Sequence, residues 1–106
     1  MNPYMKKKED LTAKDMLFKM LFVSLSKQEL RYLVKRLGPC GDQILARTNR
    51  ESGVSALISI VIEGLCEFDA LDDFFRGFLK IRKNYVEEVQ SLKDRFELET
   101  NVEQPE

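Results

Sequence analysis

The chain predicts an all-α fold, a compact antiparallel six-helix bundle, on three observations. Apolar residues recur at helical spacing in six successive segments. Most of those segments open on a capping signature. The connections between them are short, as in a bundle of packed neighbours. Strand alternation does not compete: the β-branched run at 58–62 continues at i, i+3 and i+4 in both directions.

Thr12-x-x-Asp15 resembles a capping box and precedes the double stripe Met16, Leu17, Met20, Leu21 of the first helix. Ser26-x-x-Glu29 is a full capping-box pattern and opens a second helix with Leu30, Leu33, Val34 and Leu37 on one face. Gly38-Pro39 ends it, because Gly suits the position after a helix and Pro cannot continue one. A short third segment near 41–47 offers Ile44 and Leu45 to a core. Thr48-x-x-Glu51 is the expected cap of a fourth helix carrying Val54, Leu57, Ile58, Val61 and Ile62, a stripe apolar enough to be central, which Gly64 and Leu65 close. Asp69-x-x-Asp72 is the expected start of a fifth, with Leu71, Phe74, Phe75, Phe78 and Leu79. Asn84-x-x-Glu87 is the expected start of a sixth, with Tyr85, Val89, Leu92 and Phe96. The turn at 82–84 is short enough to make helices five and six packed neighbours. One domain is expected over 11–98, between flexible tails at 1–10 and 99–106 that lack periodicity.

The composition narrows the chemistry. With 106 residues, 43% of them apolar and 33% charged, the chain is long enough for one globular core. No apolar stretch approaches the length of a membrane span, and the N-terminus has no signal-peptide core, so a cytoplasmic protein with no membrane partner is expected. The two cysteines, Cys40 and Cys66, lack metal spacing and are expected as thiols, Cys66 buried and Cys40 exposed in a turn. There is no histidine, Gly-rich phosphate loop or GxSxG, so no catalytic residues, no metal ligands and no cofactor are expected, and the chain is not read as an enzyme.

Charge is sorted along the chain. Residues 1–50 carry eleven Lys/Arg and five Asp/Glu, whereas 51–106 carry six and thirteen. Lys27, Arg31 and Lys35 (i, i+4, i+8), with Arg36 beside them, form a basic strip about 12 Å long on the second helix. Glu63, Glu67, Asp69, Asp72 and Asp73 gather at the corner of helices four and five. Asp69 and Asp72 suit a helix N-terminus, whereas Glu67 and Asp73 exceed what capping needs. A basic face and an acidic face suit head-to-tail association, either as a homo-oligomer or with relatives. Nucleic acid is disfavoured, because the chain as a whole is not basic and exposes no aromatic platform among its cations. Met16, Met20, Phe18 and Phe22 place apolar residues on more than one side of helix one, which motivates an alternative: a helical regulatory domain that binds an unrelated protein or peptide in an apolar groove.

Two stretches carry a family resemblance. LFVSLSKQELRYLVKRLG resembles the first-to-second helix region of death effector domains, and LISIVIEGLCEFDALDDFFRGFLKIRKNYVEEV resembles their fourth-to-sixth helix region. The likeness spans roughly 15–95 and rests on helix pattern more than on fixed residues. Caspase-recruitment domains and bacterial effector-associated domains share the plan. The resemblance implies a death-fold bundle. It implies a charge triad with Glu29 at the helix-two acid and Arg82 at the arginine. The position of the family's aspartate is Asn84, and Tyr85-Val86 replace its Leu-Leu. It also implies partners that are death-fold proteins, self or heterotypic, in apoptotic or innate immune signalling; because the chain stops soon after the expected domain, no attached effector is expected. Together with the charge pattern, it nominates Lys27, Glu29, Arg31, Lys35, Arg36, Glu67, Asp73 and Arg82 as a protein interface.

Overall fold

The computed structural model describes residues 12–49 and 51–103. Among them are six α-helices and no strand: α1 (Ala13–Ser24), α2 (Lys27–Lys35), α3 (Pro39–Ala46), α4 (Val54–Glu67), α5 (Leu71–Ile81) and α6 (Val86–Glu103), with a 3-10 turn at Lys83–Tyr85. The expected N-terminal tail lies outside the described residues.

The first two helices begin where their capping boxes put them. The Thr12 hydroxyl accepts from the Asp15 amide while the Asp15 carboxylate accepts from the Thr12 amide; Ser26 and Glu29 do the same for α2. Each box satisfies two amides that a helix start otherwise leaves free. Gly38 ends α2 at a φ of 88°, and Pro39 then occupies the first turn of α3, where a missing N–H costs nothing. The third helix therefore begins two residues earlier than its apolar residues suggest. Cys40 is half-buried in its first turn rather than exposed, and Cys66 is half-buried too.

The other three expected caps are absent. Thr48 turns its hydroxyl back onto the Leu45 carbonyl (2.6 Å), and α4 starts at Val54 after Gly53, with no side-chain cap. Asp69 does not open α5; it closes α4. Its φ is 54°, its amide meets the Cys66 carbonyl, and the Ala70 amide reaches back to the Leu65 carbonyl (2.8 Å), which is a Schellman closure with aspartate in the position glycine usually takes. That closure carries α4 past Gly64 and Leu65 to Glu67. Asn84 lies within the 3-10 turn, so α6 starts at Val86. At the other end, α6 extends through 99–103 of the expected C-terminal tail, whose residues 104–106 lie outside the described residues; the Glu99 carboxylate accepts from the Ala13 amide (2.7 Å) and pairs with Arg95.

The core is where the stripes meet. α1 packs on α4 and α6, α2 on α3, α4 and α5, and α4 also on α3 and α5. Leu17, Leu21, Leu30, Val34, Ile44, Leu57, Ile58, Val61, Leu65, Phe74, Phe75 and Phe78 are fully buried. Two glycines permit close approach. A Cβ on Gly41 would run into the Val34 carbonyl, and one on Gly64 would stand 2.5 Å from Ile44 Cγ1. Phe78 stacks on Phe74 and meets the edge of Tyr85, so the 3-10 turn is fixed to α5. Helices five and six are not joined simply: the turn intervenes, α6 lies against α1, and a groove stays open between α5 and α6.

Candidate interaction surface

The end of α5, the end of α1 and the start of α2 converge on Arg82. Its guanidinium donates from Nη2 to both carboxylate oxygens of Glu29 (2.8 Å each) and from Nε to the carbonyl of Ser24 (2.8 Å). Ser24 is the last residue of α1, where carbonyls lack helical partners and positive charge is favoured. Arg82 thus closes one helix, joins two others, and uses the forked geometry that lysine lacks. The Glu29 carboxylate sits below its ordinary pKa, first because it accepts from the Ser26 amide and then because of Arg82. Asn84 is exposed and takes no part, so the charged group is a pair rather than a triad.

The basic strip of α2 divides in two. Arg31 is half-buried and donates to the Thr48 hydroxyl (3.4 Å) and the Asn49 carbonyl (3.3 Å). Lys35 is exposed and pairs with Asp42 on α3 (3.3 Å). Lys27 is half-buried, so the first position of the strip is not fully open. Arg36 points the other way, exposed, with its guanidinium over the ring of Tyr32 at 5.8 Å. Tyr32 is 55% exposed. The apolar stripe at 30, 33, 34 and 37 passes it by, which is why the sequence did not single it out.

The acidic corner also divides. Glu67 receives both Nη groups of Arg47 (2.8 and 3.1 Å), which lowers its pKa and raises that of Arg47. Arg31 binds 48 and 49 while Arg47 holds Glu67, so these members of the basic and acidic sets engage adjoining residues at the end of α3. Glu67 is neutralised within the molecule. Asp73 is exposed and, among the described residues, pairs only with Arg76, one turn away (2.9 Å). Helices α2 and α5 run antiparallel, with Glu29 beside Arg82 and Leu33 beside Gly77, which brings Arg36 and Asp73 toward the same end of one face. That face carries Tyr32, Arg36, Asp73, the Glu29–Arg82 pair and the exposed Ile81.

On α1, Met20 is buried and Met16 and Phe18 are half-buried, while Phe22 is 52% exposed and stacked on Phe18 at 6.2 Å. The Cys66 thiol is pushed up in pKa by burial, which disfavours a reactive thiolate. Among the described residues no His, Cys, Asp or Glu cluster of three or more is arranged to hold a metal ion, and no helix is long and apolar enough to cross a membrane. No family model, no curated protein and no solved structure matches the chain.

Proposed function

We propose that the chain is a homotypic protein–protein interaction module of the death-effector kind, one that recruits or oligomerises death-fold partners in apoptotic or innate immune signalling. The observation that carries the reading is the Glu29–Arg82 pair, which joins α2 to the end of α5 at the two positions the resemblance nominates. It orders the α2–α5 face, on which Tyr32 and Arg36 stand exposed beside Asp73. A face of mixed charge that exposes an arginine stacked on a tyrosine has the composition of an interface hot spot. Exposed pairs such as Lys35–Asp42 and Arg76–Asp73 are worth little in water, so they exchange readily for intermolecular partners. The acidic contribution falls on Asp73 rather than Glu67, whose charge Arg47 occupies.

Capture of purified death effector domains tests the reading. Wild-type chain is expected to retain a partner at low salt and release it as salt rises, and Lys35→Glu with Arg36→Glu to weaken capture at least about tenfold at unchanged helical content. No capture, or capture indifferent to both salt and the double variant, overturns it.

The alternative, a regulatory domain that seats an unrelated peptide, is favoured by Phe22, stacked on Phe18 yet half exposed, with Val23 beside it at 73% exposure. A Phe22→Ser variant that abolishes partner capture while Arg36→Glu leaves it intact selects this reading instead.

A further inference from the structure

The groove between α5 and α6 belongs to neither of these surfaces. It encloses about 530 Å³, within the range of clefts that receive ligands and side chains. Leu71 and Phe75, one turn apart on α5, and Phe96 on α6 make its walls apolar. Asp69, Asp72 and Glu97 line it with exposed carboxylates. Glu63, Glu67 and Asp73 nearby each have a Lys or Arg partner, whereas Asp69, Asp72 and Glu97 enter no ion pair among the described residues. The two aspartates stand near the start of α5, where the helix dipole favours them; Glu97, well inside α6, has no such explanation. Lys93 is the one cation among the described residues of the lining.

We propose that this groove docks a basic amphipathic helix of a partner protein. Its walls are two helices, and the α6 stretch that lines it, 90–97, is about 10 Å long, the length of two turns of a docked helix. Apolar residues at i and i+3 or i+4 seat against the half-buried Leu71 and Phe96, with the buried Phe75 at the floor, and Lys or Arg on the flanks meets Asp69, Asp72 and Glu97. Lys93 sets direction, because it rejects a partner cation at one position and rewards a carboxylate there.

The test is fluorescence anisotropy of a labelled Leu/Lys peptide of four helical turns (about 14 residues) titrated with the full chain, beside a Leu/Glu peptide of the same pattern. The Leu/Lys peptide is expected to bind saturably and more weakly as salt rises. Asp72→Lys with Glu97→Lys is expected to weaken it at least about tenfold, at helical content checked by circular dichroism, while Lys35→Glu with Arg36→Glu leaves it unchanged. Equal binding of the Leu/Glu peptide, or full binding by the Asp72→Lys/Glu97→Lys variant, overturns the proposal. The α2 variant alters only the other face, so failure here and failure of the proposed function are told apart.

Discussion

Glu29 serves two structures at once, the capping box of α2 and the bond to Arg82. Its pKa is held down in the folded chain, as is that of Glu67. A depressed carboxylate stabilises the fold at pH above its unfolded value, and that contribution is lost as the pH falls toward its lower folded value. The urea midpoint is therefore expected to decline as the pH drops through and below about 4. Glu29→Gln keeps the cap geometry but loses the charge, so it should lower the midpoint at neutral pH and flatten the acid decline; an unchanged slope would contradict the assignment. Asp69 is a second residue-scale test. It holds a left-handed φ that glycine adopts freely, so Asp69→Gly should raise stability by about 0.5–1 kcal/mol in thermal melts. Both positions show how far sequence spelling reaches. Ser/Thr-x-x-Asp/Glu located the caps of α1 and α2. The same spelling at 48, 69 and 84 did not, because a side chain or backbone able to open one helix can equally close the one before it, and which it does depends on the incoming chain.

At the scale of elements, α5 commits all of its aromatic residues to the core. Phe74, Phe75 and Phe78 are all but fully buried, with Tyr85 of the following turn against Phe78. Phe78→Ala should cost about 3–5 kcal/mol in denaturant unfolding, whereas exposed Lys80→Ala should stay within about 0.5 kcal/mol. The α2–α3 elbow depends on Gly41, whose missing Cβ lets α3 lie on the Val34 carbonyl. Gly41→Ala should destabilise by about 3 kcal/mol, because backbone rather than a flexible side chain must move. The identity and core faces of all six helices were legible from apolar period alone, since burial of one stripe per helix is a local property of the sequence. The separation of α5 from α6 was not legible, since it depends on the 3-10 turn and on α6 choosing α1.

For the whole molecule, the sorting of charge between the two halves is partly spent inside the fold. Lys14–Glu63 and Arg47–Glu67 each join the basic half to the acidic half, and Glu29–Arg82 joins them in the opposite sense. Which cations of the α2 strip remain free could not be read from sequence, because their partners at 42, 48 and 49 are set by how α3 folds back. Arg36, with Asp73 on the same face, keeps its charge toward solvent. Light scattering of the full chain, alone and mixed with a purified death effector domain, across concentration at low and high salt, tests the central claim most directly. The account predicts a mass above monomer in at least one of the two low-salt series, returning toward monomer at high salt and in Lys35→Glu/Arg36→Glu. Monomer mass at every concentration in both series would contradict it.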